Sequence, residues 1–410
     1  MQTSLQQAFL DTPAGREADG VLRNCVHCGF CNATCPTYQL TGDELDGPRG
    51  RIYLIKQVLE GRQATARTQL HLDRCLTCRA CETTCPSGVD YHRLLDTGRE
   101  LIERQVGRTP GGHLLRRILR LLLTRRRTFT VLLRLGQALR PVLPRGMRQQ
   151  VPLRPPGLVP ASVRKHKRRM LLLEGCVQPA LAPQINHATR RVLDALGITA
   201  VSPAAAGCCG AVSHHLGAVD EARGFMRRNI DAWWDEVTAG TEAIVITASG
   251  CAPLVKEYGR MLAHDPAYAE KAARVSALAR DLSEVVAREP LDGRLRPPAG
   301  TVKISFHSPC TLQHAQRLDG VVEDLLSRAG FELAPTTDRH LCCGSAGTYS
   351  LLQPALSREL RDNKLAALQK PEPVVIATAN IGCLTHLAGG ARVPVKHWIE
   401  LLEPLLTEAS

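Results

Sequence analysis

The sequence predicts an α+β multidomain chain: a helical, cysteine-bearing domain followed by two repeated α/β lobes with parallel sheets. Two observations carry this expectation. One short cysteine word is written twice near the start of the chain, and a longer block of sequence is written twice after it. At 410 residues there is room for two or three hydrophobic cores.

The word is Cys25-x2-Cys28-x2-Cys31-x3-Cys35-Pro36, and Cys75-x2-Cys78-x2-Cys81-x3-Cys85-Pro86 repeats it fifty residues later. This is the bacterial run for paired [4Fe–4S] clusters, in which three thiolates of one loop bind one cube and the fourth crosses to the other. That rule assigns Cys25, Cys28, Cys31 and Cys85 to one cluster. It assigns Cys35, Cys75, Cys78 and Cys81 to the second. Thiolate is a soft ligand that suits such clusters. Zinc sites are usually built from two CxxC pairs rather than a triplet plus one. Between the words, RGRIYLIKQVLEG places Ile52, Ile55, Val58 and Leu59 at helical spacing, with Gly61 as a stop. Residues 1–100 therefore read as a ferredoxin-type domain of the larger, helical kind.

Residues 101–169 read as a basic connector. Between Glu103 and Glu174 stand eighteen Lys and Arg and no acidic residue, so removing that segment from the net +13 leaves the rest of the chain acidic. HLLRRILRLLLTRRRTFTVLLRLGQALR reads as helix. The Pro-rich VPLRPPGLVP and the run Arg164-Lys165-His166-Lys167-Arg168-Arg169 follow it. Such arginines can cover their own domain with their stems, or meet an anionic membrane or a partner. Scarce aromatics and the lack of a known motif argue against nucleic acid. The first twenty residues lack a basic n-region and an apolar h-region, and no run of eighteen apolar residues occurs. Sixteen cysteines in so large a chain fit a reducing compartment that keeps thiolates for metal. The expected location is cytoplasmic, peripheral on the inner face of the cytoplasmic membrane.

The remainder is the repeat, with lobes expected at 170–290 and 300–405. Cys176, Cys208 and Cys209 recur 134 residues later as Cys310, Cys342 and Cys343; Cys251 recurs as Cys383 and Asn229 as Asn363. Apolar runs at Met170–Leu173, Ile244–Thr247, Val302–Phe306 and Val374–Ala377 precede cysteines, and helical patterns such as ATRRVLDALG and DGVVEDLLSRAG follow. Alternating strands and helices imply βαβ units and two lobes facing across a pseudo-twofold. Each lobe then brings four thiolates to the carboxyl edge of its sheet, where open α/β sheets bind ligands. The sets are Cys176, Cys208, Cys209, Cys251 and Cys310, Cys342, Cys343, Cys383. Gly210 and Gly344, lacking a Cβ, let the paired cysteines turn tightly. A further cluster, zinc, a redox dithiol and inert buried thiols all remain open for these sets. Of His214, His215, His307, His314, His340 and His386, only His386, three residues after Cys383, has a ligand-like offset.

Two CxxCxxCxxxCP runs joined to two Cys-Cys-Gly domains resemble the iron–sulfur subunits of flavin-linked dehydrogenases. The phrases CVHCGFCNATCPTYQLTGDELDGPRGRIYLIKQVLEG, HLDRCLTCRACETTCPSGV, NIDAWW, TASGC, HLCCGSAGTYSL and TANIGC resemble the glycolate oxidase iron–sulfur subunits over nearly the whole chain. The resemblance implies an electron-transfer subunit of an oxidoreductase complex, with no catalytic residue of its own. It implies electrons taken from a separate FAD subunit that oxidises glycolate to glyoxylate. Their destination is a quinone or another acceptor, and a second flavin-domain-like subunit completes the complex. The chain has no G-x-G-x-x-G loop, which agrees with flavin held elsewhere. The alternatives are the same role for lactate or glycerol 3-phosphate, or a thiol–disulfide enzyme working at the paired cysteines. In the heterodisulfide reductase relatives, the last cysteine of each lobe belongs to a CxxC pair. Here those positions read Cys251-Ala-Pro-Leu254 and Cys383-Leu-Thr-His386. The missing fifth thiolate argues against a non-cubane cluster and against disulfide reduction.

Overall fold

The computed structural model describes residues 1–144, 148, 151–154, 164–291 and 293–407. Arg145 and the Pro-rich positions 155–160 lie outside the described residues.

The N-terminal part is helical, as its pattern predicts. Helix α1 (Pro13–Asn24) is capped by Thr12, whose side chain accepts from the Gly15 N–H. The helix between the cysteine words, α2 (Pro48–Leu59), opens on a proline, buries Ile52, Ile55, Val58 and Leu59, and ends before Gly61 at φ +102°. It packs on α3 (Tyr91–Val106). The two approach so closely that a Cβ on Gly98 would lie 2.6 Å from Ile55 Cγ1. Helix α3 crosses the expected boundary at residue 100. The Leu- and Arg-rich segment then folds as two amphipathic helices, α4 (Pro110–Leu123) and α5 (Arg126–Leu139), packed on each other.

Each repeat folds as a four-stranded parallel sheet. In lobe 1 the strands are β1 (Arg168–Leu173), β2 (Ile198–Val201), β3 (Ile244–Ile246) and β4 (Ala279–Asp281), in the order β2-β1-β3-β4. In lobe 2 they are β5 (Val302–His307), β6 (Phe331–Leu333), β7 (Val375–Thr378) and β8 (Val395–His397), in the order β6-β5-β7-β8. The runs of Val, Ile and Leu in β1, β3, β5 and β7 are buried, as parallel strands covered on both faces require. β1 starts at Arg168, so the end of the basic run is already sheet: Arg168 pairs with Ile198 of β2.

The lobes meet reciprocally. Helix α6 (Pro183–Ala195) of lobe 1 packs on α9 (Trp398–Leu402) of lobe 2, and α8 (Val321–Arg328) of lobe 2 packs on α7 (Leu282–Ala287) of lobe 1. That exchange of first and last helices is the signature of a two-fold, self-complementary contact. One core runs through it, including Ile185, Val285, Leu325 and Trp398. Polar bonds join the strand ends: Ser249 N donates to Ala379 O at 3.1 Å, and His397 Nε2 to Thr247 O at 3.1 Å.

The helical domain rests on both lobes. Arg79 binds Glu257 at 2.9 Å and His214 binds Asp96 at 3.0 Å on the lobe 1 side. On the lobe 2 side, Thr83 meets His314 at 2.9 Å, and Leu76 and Cys78 pack with Cys310, Cys342, Tyr349 and Leu360.

Candidate metal centres

The two cysteine words adopt the same backbone. His27 and Gly29 have φ of 59° and 91°, and Thr77 and Arg79 have φ of 53° and 61°. Left-handed backbone at three non-glycine residues is uncommon; here it curls each loop around a common centre. The curl points backbone donors at sulfur: His27 N–H at Cys25 and Ala80 N–H at Cys78. Thr77 N–H lies 3.5 Å from Cys75 Sγ.

Cys25, Cys28, Cys31 and Cys85 line one cavity, closed by Ile52, Val89 and Tyr91. Cys35, Cys75, Cys78 and Cys81 line a second. Pro48, Cys81 and Tyr91 line both, so the cavities have a wall in common. The electrostatic neighbours divide the same way. Burial, reinforced by Cys25, Cys85 and Cys28, pushes the Cys31 thiol up to about 11. Burial with Cys78, Cys75 and Cys35 nearby pushes Cys81 well up. Crowded buried thiols of this kind hold their protons until a cation takes the place. The spacing discriminates between metals. Among the described residues, no three of these eight sulfurs lie within 4.8 Å of one another. Ligands on one zinc at about 2.3 Å each stand closer than that. The donor set thus fits a multi-iron cube better than a single ion.

A buried ionic network that sequence reading missed supports the second cavity. Arg51, 1% exposed, donates to His71 O (2.7 Å) and Thr37 Oγ1 (3.1 Å) and reaches Cys35 Sγ at 4.0 Å. Asp46, fully buried, accepts from His71 Nδ1 at 2.8 Å and Arg74 Nη1 at 2.7 Å, and lies 3.8 Å from Arg51. Burial opposes the Arg51 charge, but Cys75, Tyr91, Cys35 and Asp46 outweigh it.

Both Cys-Cys-Gly sets converge at strand ends, beside β1 and β3 and beside β5 and β7. These are the strands where the sheet order reverses, the usual ligand crevice of an open α/β sheet. In lobe 1, Cys208 lies between Cys176 and Cys209, whose thiols donate to it and hold it well below the usual thiol range; Cys209 also bonds Cys251. In lobe 2, Cys310 and Cys342 lie 3.9 Å apart, and the hydrogen bond between them together with burial pushes Cys310 well up. Gly210 and Gly344 carry the positive φ the turn needs, at 96° and 85°.

The repeat is not exact in its polar support. Asn229 is fully buried; its Nδ2 donates to Cys208 O at 2.9 Å and its Oδ1 accepts from Gly207 N–H. Asn363 is exposed, and its neighbour Lys364 turns inward instead, bonding Asp338 O at 2.7 Å. The histidines sort differently from the spacing argument. His386 turns to Ser357, 3.2 Å from its Oγ. His307, which has no ligand-like offset in the sequence, lies with Cys343 and Cys383, all three ligand atoms within 4.8 Å of one another. Its signal was present: a histidine ends copy two's first strand, three residues before Cys310, where copy one has Leu173.

Comparison with known proteins agrees with this architecture. A family model described as "4Fe-4S dicluster domain" matches residues 21–89, and one described as "Cysteine-rich domain" matches 170–255 and 304–388. The "Glycolate oxidase iron-sulfur subunit" of Escherichia coli (strain K12) is 56% identical over 407 residues, covering 99% of both chains. This chain belongs to the glycolate oxidase iron–sulfur subunit family. The "Probable glycolate oxidase iron-sulfur subunit" of Bacillus subtilis (strain 168) is 30% identical over 92% of this chain and 90% of its own. "Lactate utilization protein A" of Geobacillus kaustophilus (strain HTA426), 28% identical, spans 98% of its own length but 57% of this chain.

Proposed function

We propose that this chain is the electron-transfer iron–sulfur subunit of a glycolate-oxidising flavoprotein complex. The observation that carries the reading is the pair of thiol-lined cavities with one wall in common. Cys25, Cys28, Cys31 and Cys85 hold one [4Fe–4S] cluster, and Cys35, Cys75, Cys78 and Cys81 hold the other. Bound clusters of this type supply one-electron carriers whose potentials are tuned by charge, hydrogen bonds and exposure. The protein's own contribution is placement. The common wall at Pro48, Cys81 and Tyr91 keeps the two sites close. The choice of glycolate rests on the end-to-end likeness to a subunit of that name, whereas the lactate-linked relative spans little more than half of this chain.

The flavin belongs to a partner: an FAD subunit, with a second flavin-domain-like subunit beside it. The acceptor is a quinone or another electron carrier. No helix among the described residues is long and apolar enough to cross a membrane. The proposed approach to the membrane is peripheral, on the cytoplasmic face. The α4–α5 pair supports that role, exposing Leu114, Val131 and Leu135 among arginines. The test is anaerobic co-purification with the flavin subunit, followed by assay with glycolate, lactate and glycerol 3-phosphate. The complex should reduce a quinone analogue with glycolate, and the isolated chain should not oxidise glycolate. Turnover by the isolated chain, or preference for another substrate, defeats the reading.

A further inference from the structure

The two cysteine words share a backbone but not their surroundings. In the second word lobe 2 sits on the loop: Leu76, 4% exposed, and Cys78 pack with Cys310, Cys342, Tyr349 and Leu360. Ala80 is 1% exposed, and Arg79 ties the loop to Glu257 of lobe 1. Fifty residues earlier the same loop positions face outward. Val26, the counterpart of Leu76, is 68% exposed, and Phe30, the counterpart of Ala80, is 62% exposed. Cys28 is exposed where Cys78 is half-buried, and Gly29 stands where the second word has Arg79. Tyr53 of α2, also exposed, continues the patch, its ring 6.3 Å from that of His27. Exposed apolar side chains gathered in one patch mark a binding surface.

We propose that the flavin-bearing subunit docks on Val26, Phe30 and Tyr53, covering Cys28 as lobe 2 covers Cys78. This rests on the electron-transfer role proposed above and adds the seat of its partner. Two observations select the occupant. The second thiol cavity faces the chain's own lobes: Cys78 packs on lobe 2, and His92 lies 3.3 Å from Glu257 of lobe 1. A redox partner arriving from outside therefore meets the first cavity, whose lining includes Val26, Cys28 and Phe30. The patch also carries no free cation. Arg49, the one Lys or Arg among the described residues lining that cavity, is bound to Glu44, and His27 Nε2 lies 3.2 Å from Arg49 O. An anionic leaflet attracts cations, so the lipid suits the arginine-rich α4–α5 face and not this one. Interface cores between proteins are depleted of charge and enriched in aromatic side chains. The surface that fits here is an apolar one on the flavin subunit.

The test uses the whole chain, purified without oxygen with its clusters in place, and the separately purified flavin subunit. Val26→Asp combined with Phe30→Asp should weaken binding of that subunit by about 100-fold, since a few core residues carry most of an interface's affinity. Val374→Asp, at a comparably exposed valine of lobe 2, should leave it unchanged. Val26 and Phe30 adjoin Cys25 and Cys31, so iron content and paramagnetic spectra of the double variant are compared with wild type. Tyr53→Glu, which flanks no cysteine, should weaken binding by about 10-fold with those spectra intact. With Tyr53 replaced by a photoreactive phenylalanine analogue, illumination should cross-link the chain to the flavin subunit. Unchanged affinity in Tyr53→Glu, or a cross-link to a second copy of this chain or to nothing, overturns the docking site, while a wild-type complex leaves the electron-transfer reading standing. Failure of the wild-type chain to bind the flavin subunit defeats both.

Discussion

The Arg51 guanidinium lies 4.0 Å from Cys35 Sγ, fully enclosed between the second thiol cavity and Asp46. A fixed positive charge there favours whichever cluster state carries more negative charge, which is the reduced one. Arg51→Gln should therefore lower the potential of the cluster held by Cys35, Cys75, Cys78 and Cys81. A unit charge about 6 Å away at an effective dielectric of about 20 acts with roughly 3 kcal/mol. That corresponds to a shift on the order of 100 mV. Arg51→Lys keeps the charge and should leave most of the potential intact. A redox titration followed by electron paramagnetic resonance reads both; equal shifts in Gln and Lys would mean that packing, not charge, sets the effect.

The proposed crossing of Cys35 and Cys85 gives a second prediction. Cys28→Ser should damage only the cluster of Cys25, Cys31 and Cys85. Cys35→Ser should damage only the one bound by Cys75, Cys78 and Cys81. Spectra that show Cys35→Ser disturbing the Cys25 cluster would rule out the crossed ligation.

The two Cys-Cys-Gly turns differ in how tightly they are closed. A Cβ on Gly344 would lie 2.5 Å from Ser357 O, while on Gly210 the nearest atom is Ala222 O at 3.1 Å. Both positions also carry left-handed backbone, which costs a non-glycine residue about 1–3 kcal/mol in all. Gly344→Ala should therefore destabilise lobe 2 by more than Gly210→Ala destabilises lobe 1, because backbone must move. Thermal unfolding of the two variants compares them; equal losses would show that φ alone matters.

Much of this was legible in the sequence, and the misses arise where local pattern is too short or where folding decides the partners. The cysteine words, the inserted helix and the repeat are local patterns, so Ile52, Ile55, Val58 and the strand runs before Cys176, Cys251, Cys310 and Cys383 fell where periodicity put them. Short strands β2, β4, β6 and β8 carry only three or four residues, too few for a period. Arg51 was invisible because its partners come from residues 35, 37, 46 and 71, brought together only by folding. His386 looked right by spacing, yet its position on a helix turns it toward Ser357, whereas His307 sits at a strand end that faces the thiols. Asn363 kept the repeat's spacing but not its role, because the helix phase presents Lys364 inward.

Acid should weaken the contact between the lobes. Burial holds His397 at about 4, against the ordinary value near 6.5, despite its bond to Thr247 O across the interface. The folded protein therefore keeps His397 neutral where the unfolded chain binds a proton. The stability this neutral group retains above about pH 6.5 is lost as pH falls toward 4, by roughly 3 kcal/mol at the lower end. His397→Asn should have a flatter acid limb between pH 6.5 and 4 when unfolding temperature is followed against pH. An unchanged slope in the variant would assign the acid sensitivity to other groups.

The arginines of the α4–α5 pair divide into those already engaged and those facing outward. Arg116 binds Asp73 at 3.1 Å, Arg120 binds Glu221 at 3.5 Å and Arg126 binds Glu174 at 2.6 Å, so these hold the helices to the protein. Arg125, Arg127 and Arg134 are exposed beside Val131 and Leu135 and have no acidic partner among the described residues. An anionic leaflet attracts such cations by about 1 kcal/mol each near its surface. Replacing Arg125, Arg127 and Arg134 with Ser should weaken binding to phosphatidylserine-containing vesicles by about 100-fold. Added salt should weaken the wild type in the same sense, since the attraction is screened within a Debye length. Assembly with the flavin subunit should survive, and the fold should too, because the Arg126–Glu174 pair is left in place. If the triple variant instead loses the flavin subunit while holding vesicles as before, this face docks a protein and the membrane role falls.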